Sequence, residues 1–495
     1  VQPRPEGGIA LPDGILRLER NSFCISETHD AGVLVDARDY YRAFYSSLRR
    51  ARRYVLIAGW QFDSDVPLLR GEDTALAGGP VELLPFLEDL CEKNPDLEIY
   101  LLAWDYSVVY ALEREWLQEM IFDGMTTRRL HFQYASDHPV GASHHQKFVI
   151  VDGRLAFVGG TDLCRSRWDD RRHSIVNPHR VDPDGERYKP YHEVMAYCTG
   201  PTVRRIESLF RERWTSASGE ALSLPEPPGD TIVGAFDGAI PIPCRLVGAA
   251  RTAGAYAEST PVQEIRSLYE DAIGASQRLL YFETQYFTSR VVHEALVARF
   301  CDERLPLLDV VIVLPRGGDT KKEEFALGAA QHRVLASLSR VARETGHSLS
   351  ILHSASSSGV STFIHSKLLV VDDRFLTIGS ANCTNRSFSV DTELNLGWEC
   401  QGPSDPLHAS IARLRANLLS EHAGIPHSTA LEGTEGLVAR IDDLVNAGSK
   451  LRYLPIPDVD RAPEPGFFEL AFDPERPLIE NPFEDLFQSS RSASR

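Results

Sequence analysis

The chain has no apolar run near the ~18–20 residues that a membrane-crossing helix needs. It also has no CxxC pair and no surplus of positive charge. The first absence excludes a transmembrane helix in the given sequence. The opening stretch, VQPRPEGGIALPDG, lacks the basic and apolar segments of a secretory signal, and it begins without Met, which leaves room for a leader already removed. The eight cysteines (Cys24, Cys91, Cys164, Cys198, Cys244, Cys301, Cys383 and Cys400) are scattered. That spacing fits free buried thiols better than a disulfide framework or a zinc site. A formal net charge of −18 opposes binding to nucleic acid, whose phosphates call for a basic surface. No GxSxG elbow and no Walker loop is present, so serine-hydrolase and nucleotide-binding readings lack support.

What the chain does have is size and repetition. Its 495 residues, 43% hydrophobic, suffice for two to four domains with proper cores. The stretch SHHQKFVIVDGRLAFVGGTD (143–162) returns as FIHSKLLVVDDRFLTIGSAN (363–382). In that register His145 matches His365, Lys147 matches Lys367, Asp152 matches Asp372, Gly159 matches Gly379 and Asp162 matches Asn382. The repeat extends outward. RRYVLIAGWQFD pairs with QRLLYFETQYFT, LEIYLLAWD with LDVVIVLPR, and each half ends on a Gly-Pro turn leading into a helix pattern. Buried strands alternating with amphipathic helices predict an α/β fold. Duplication predicts two similar α/β/α-layered halves packed about a pseudo-twofold axis.

The expected boundaries follow from composition. Residues 1–29 read as an N-terminal extension, 30–215 as the first half and 216–240 as a Ser/Gly/Pro-rich linker. Residues 241–425 read as the second half. Residues 426–495 read as a tail wrapping the core, disordered at its FQSSRSASR end. Aromatics at strand ends, Trp60, Trp104 and Tyr286, read as core or rim.

HQKFVIVD and HSKLLVVD are strand-like, with VDGR and VDDR as the turns that follow. Side chains two apart share a face, so each His points with its Lys, while Asp152 and Asp372 have the opposite parity. The aspartates are therefore expected to be structural, meeting a charge or a turn amide. A neutral imidazole beside a fixed ammonium suits attack on an anionic phosphate, the lysine holding non-bridging oxygens. Two copies suit phosphodiester exchange, one imidazole attacking while the other protonates the leaving alcohol and later activates water. Gly160, Ser380, Asn382 and Asp162 are the expected phosphate-side residues, with acidic Asp162 making the halves inequivalent. Each imidazole also needs a carboxylate to fix its tautomer, and each half offers one before its Gly-Pro turn, Glu193 and Glu393. A metal phosphoesterase using both histidines and both aspartates is the rival. It is weakened by lysines beside the cation and by the aspartates' parity, so no metal and no cofactor is expected.

The repeated HxKx4Dx6G(G/S) pattern resembles that of the phospholipase D superfamily over residues 30–425. GGTDLCRSRWDD, YKPYHEVMA and YFETQYFTS further resemble segments of phospholipase D proper. The departures are Glu193 for the family's Asp, Tyr191 for Trp and Thr284 for Asn. The resemblance implies a two-half enzyme of the bacterial type, with His145 as nucleophile and His365 as general acid. It implies hydrolysis of the distal phosphodiester of a phospholipid at a membrane or micelle surface, by a monomer, with transfer to alcohols. A superfamily nuclease, another phosphatidyltransferase and a non-enzymatic lipid-binding scaffold are the alternatives. The acidic charge disfavours the first, and two intact motifs disfavour the last.

Overall fold

A computed structural model describes residues 14–105, 127–229, 235–318, 320–402, 404–456 and 471–477. The continuously apolar segments become strands that bury both faces. Tyr54, Leu56 and Ala58 of strand Tyr54–Gly59 enter one core cluster, while Val55 and Ile57 enter another. Phe148 and Ile150 of strand Phe148–Val151 separate from Val149 and Val151 in the same way. A strand sandwiched on both sides has no polar face to show, which is why these segments read as unbroken apolar runs.

Two sheets repeat one order. In the first half, Ala31–Val35, Val194–Thr199, Leu155–Gly159, Phe148–Val151, Tyr54–Gly59, Glu98–Trp104 and Leu130–Ala135 lie side by side. In the second, Leu246–Ala253, Glu393–Glu399, Phe375–Gly379, Leu368–Val371, Leu279–Glu283, Asp309–Val313 and Ser348–Ser354 follow the same sequence of neighbours. The last three strands of each series are parallel and the rest antiparallel. Val158, Ala196, Ile378 and Leu396 share one core with the helices Pro201–Ser218 and Pro406–Ala423, so the two sheets are joined through a common interior. Helices Asp36–Leu48 and Leu83–Lys93 cover the far face of the first sheet, and Glu264–Gly274 and Arg290–Phe300 that of the second.

The halves are less cleanly bounded than composition suggests. Strand Cys24–Glu27, inside the expected N-terminal extension, pairs antiparallel with Leu246–Ala253 and so belongs to the second sheet. Ile240–Pro241, at the end of the expected linker, pairs with Ala31–Val35 in the first sheet. The helix before the linker runs on to Ser218. Beyond Gly424, helix Leu437–Asn446 buries Leu437 and Ile441, and strand Leu451–Tyr453 extends the second sheet at Ser348–Ser354. Asp473 docks on Thr288 and on the Arg386 amide. Part of the tail is thus integral to the second half, and its FQSSRSASR end lies outside the described residues. All eight cysteines are free, and among the described residues no helix is long and apolar enough to cross a membrane.

Candidate active site

Each motif aspartate sits in a left-handed turn, at φ 50° for Asp152 and 53° for Asp372. Asp152 accepts the backbone N–H groups of Arg52, Arg53 and Tyr54 at 2.8, 2.7 and 2.9 Å. Asp372 accepts those of Gln277, Arg278 and Leu279 at 2.7, 2.7 and 2.8 Å. The two carboxylates therefore lock each motif hairpin to the start of its neighbouring strand, away from the imidazoles. Backbone amides are the hydrogen-bonding partners, and Arg374 Nε adds an ion pair to Asp372 at 3.7 Å.

The histidines and lysines lie just before strands Phe148–Val151 and Leu368–Val371, on segments that run into the opposite half. The His145 N–H donates to Thr392 O at 3.0 Å, and the His365 N–H donates to His192 O at 2.9 Å. Thr392 and His192 immediately precede the two glutamates. The side chains follow the backbone across. His145 Nδ1 lies 3.0 Å from both carboxylate oxygens of Glu393, and His365 Nδ1 meets Glu193 Oε2. Each carboxylate thus serves the histidine of the other half, as in an interface between two equivalent copies. With Nδ1 engaged, Nε2 of each ring is the nitrogen left for the cavity, and both histidines line it.

Glycine and serine sit behind these carboxylates. A Cβ on Gly160 would come within 2.7 and 2.8 Å of the Glu193 oxygens. At the equivalent position Ser380 donates its hydroxyl to Glu393 Oε2 at 2.5 Å and accepts from Leu394 N–H at 3.1 Å. Gly160 and Ser380, expected on the phosphate side, thus stand behind the two carboxylates. One leaves room for an orienting carboxylate and the other fixes its counterpart. Gly159 and Gly379 face Val194 O and Leu394 O at 2.8 and 2.3 Å from an added Cβ, so they permit close strand packing. Asp162, expected on the phosphate side as an acceptor, lines the cavity. It accepts the Trp60 N–H at 2.8 Å and lies 3.3 Å from Lys147 Nζ. Asn382, its counterpart, lines the cavity with a buried Oδ1 that accepts no hydrogen bond.

Burial lifts Glu193 to about 7. Burial, with Lys367, Arg167 and Lys147 nearby, holds His365 well below the usual imidazole value. Both shifts favour the uncharged forms, so this dyad holds its proton between two reluctant ions rather than as a full ion pair. Burial likewise brings Lys367 down to about 7, against the pull of Glu193. Negative charge brought beside these cations would favour protonation of His365 and Lys367, while further disfavouring the ionised form of Glu193.

The cavity measures about 750 Å³. Its walls include His145, Lys147, His365, Arg167 and Asn382, with Trp60, Trp104, Tyr286 and Phe472 as apolar surface. Trp60 stacks on Trp104 at 5.6 Å; both line the cavity, Trp104 fully buried and Trp60 half-buried. Arg167, in the basic stretch RSRWDDRRH just past the first motif, lines the cavity and stacks over Tyr191 at 5.1 Å. That basic run is otherwise used in ion pairs, Arg165 with Asp65, Arg171 with Glu421 and Arg172 with Asp170.

Beneath the His365 dyad lies a buried ionic cluster of Asp36, His173, His192 and Glu421. These are metal-ligand types. Their His–carboxylate separations of 2.9–3.4 Å are also the distances of shared protons, and His173 is pushed up to about 10 by Asp36, Asp169 and Glu421 against the cost of burial. Protonation of His173 and His192, whose titration is raised by these carboxylates, would offset their charge.

Two sheets of one strand order, meeting so that each His–Lys motif is completed by the other sheet's carboxylate, define a duplicated two-histidine fold. Residues 47–229 match the family description "Phospholipase D", and residues 269–414 match "Cardiolipin synthase, PLD-like domain". The chain belongs to the phospholipase D superfamily. Phospholipase D A of Dictyostelium discoideum is 22% identical over 79% of this chain and 35% of its own length. Phospholipase D gamma 1 of Arabidopsis thaliana is 23% identical over 80% of this chain and 63% of its own. The chain thus spans less than two thirds of each of these relatives. Phosphatidylserine synthase of Haemophilus influenzae Rd KW20 has a similar fold, with a TM-score of 0.52 and 14% identity over 86% of this chain and 94% of that one.

Proposed function

We propose that the chain is a phosphodiesterase of the phospholipase D class, releasing phosphatidate and free alcohol from a phospholipid. The observation that carries this reading is the convergence of His145 and His365 on one cavity, each with Nδ1 held by a carboxylate. His145 Nε2 attacks phosphorus, the bond to the headgroup oxygen breaks, and His365 supplies the proton that the departing alcohol needs. His365 then takes a proton from water, the water oxygen bonds to phosphorus, and the P–N bond breaks to restore His145. Lys147 and Lys367 offset the charge on the non-bridging oxygens throughout. The aromatic wall and the acidic net charge support an amphiphilic phosphodiester at a membrane or micelle surface over nucleic acid. One chain supplies both dyads, which supports action as a monomer.

The test is headgroup release from phosphatidylcholine, phosphatidylethanolamine and phosphatidylglycerol vesicles beside a DNA phosphodiester, with and without EDTA. Release from lipid in EDTA is expected, with phosphatidylethanol formed when ethanol is added, because a phosphohistidine accepts either oxygen nucleophile. Cleavage of DNA alone would replace this reading with a nuclease. Loss of all turnover in EDTA, restored by zinc or calcium, would replace it with a metal phosphoesterase.

A further inference from the structure

The two dyads are not supported alike. Glu283, the last residue of strand Leu279–Glu283 and fully buried, accepts from Ser366 Oγ at 2.7 Å and lies 3.0 Å from His192 Nε2, both through Oε2. Its other oxygen meets His422 Nε2 at 2.8 Å and the Tyr281 hydroxyl at 2.5 Å. Ser366 follows His365 in the chain, and His192 precedes Glu193. A closed circuit results: Glu193 to His365 through the dyad, His365 to Ser366 through a peptide, Ser366 to Glu283, Glu283 to His192, and His192 back to Glu193. One carboxylate therefore grips both strands that must align for the dyad to form.

The first half lacks this grip. The register that sets Tyr54 against Leu279 places Ala58 where the second half has Glu283. Gln146, opposite Ser366 in the repeat, instead donates to Glu393 O at 3.1 Å and accepts from Arg213 at 3.1 Å. The His145–Glu393 dyad is thus seated by a neutral amide held between Glu393 O and Arg213. The His365–Glu193 dyad is seated by a buried charge with four donors around it.

We propose that Glu283, acting through Ser366 and His192, is a positioning residue that fixes the geometry of the His365–Glu193 dyad and leaves the other dyad alone. It touches neither the cavity nor the reacting atoms. The assignment rests on the proposed function only for its kinetic consequence. Misplacing a proton donor costs turnover rather than binding.

The experiment compares Ser366→Ala, Glu283→Gln and Gln146→Ala with the parent chain. Ser366→Ala removes one arm of the clamp with a single buried oxygen, so it keeps a folded variant available if Glu283→Gln collapses. In the parent labelled with 15N-histidine, the downfield Nδ1–H proton of His365 is assigned by its loss in His365→Asn. Ser366→Ala is expected to shift or broaden that resonance, and Gln146→Ala is expected to leave it in place. On a phosphodiester substrate Ser366→Ala should lower kcat by roughly tenfold with KM within about twofold, and should move the limb of the pH profile that reports His365. A folded Ser366→Ala protein with an unmoved His365 resonance would overturn the proposal. So would a Gln146→Ala change that moves the resonance equally. A parent chain without turnover on any phosphodiester would sink the proposed function, while the resonance would still decide this one.

Discussion

At the scale of single residues, the most consequential fact is which carboxylate holds which histidine. Glu393 meets His145 and Glu193 meets His365, so substitutions should sort by dyad and not by half. Glu193→Gln and Glu393→Gln should each lower kcat by about 10²–10⁴-fold with small changes in stability, since the geometry survives and the charge does not. With an activated ester, Glu393→Gln should resemble His145→Asn in failing to form the phosphohistidine, while Glu193→Gln and His365→Asn should form it and turn it over slowly. Mass spectrometry of the acid-labile adduct on the peptide around residues 143–154 reads the difference. An adduct on His365 would reverse the roles. The free protein should also show His365 neutral at pH 6.5, because burial among Lys367, Arg167 and Lys147 opposes its protonation. Adding tungstate as a phosphate mimic should raise its titration midpoint, because the anion offsets those cations. An unmoved midpoint in imidazole 15N spectra would show that the cations are already compensated. Sequence reveals the histidines, lysines and glutamates because chemistry restricts those residue types at those spacings. It carries no signal for the crossing, since a duplicated motif reads the same whether its parts meet within a half or between halves.

At the scale of elements, the motif aspartates act as pins. Each accepts three backbone N–H groups at the head of a neighbouring strand and occupies a left-handed turn. Asn tolerates that turn, so Asp152→Asn isolates the loss of charge and of hydrogen bonds, whereas Asp152→Ala adds backbone strain. Urea unfolding should register about 1–3 kcal/mol for the first and about 1 kcal/mol more for the second, with kcat of the folded protein within about threefold of the parent. A kcat loss as large as that of His145→Asn would place Asp152 in the chemistry. The parity of the motif reveals that these aspartates leave the histidine face. Their amide partners, 93 to 100 residues away in sequence, are visible only once the hairpin is docked. The place of Gly160 and Ser380 behind the carboxylates escaped the sequence for a related reason. Small residues after a catalytic strand suit a phosphate and a buried carboxylate equally, and only packing tells the two apart. Strand Cys24–Glu27 escaped notice because four residues beside a charged flank carry too little pattern to announce a sheet partner.

At the scale of the whole molecule, the α/β class and the two-half plan were legible, because long apolar strands repeated in register announce a duplicated layered unit. The boundaries were not, because two short strands exchange sheets across them. A cut in the stretch between Ser218 and Gly229 should therefore leave the halves associated. After cleavage at an engineered protease site there, size exclusion should return one species, and specific activity should persist at micromolar concentration. Separation into two inactive fragments under native conditions would mean that the shared core is weaker than its continuity suggests. The reciprocal dyads also have a consequence in terms of ancestry and dilution. Contacts that run from each half to the other are those of a closed dimer of identical subunits, here joined into one polypeptide. Joining makes encounter of the halves intramolecular, so the site survives at concentrations where a dimer would come apart. It also frees the two copies to diverge, and the Glu283 clamp opposite Ala58 is one mark of that freedom.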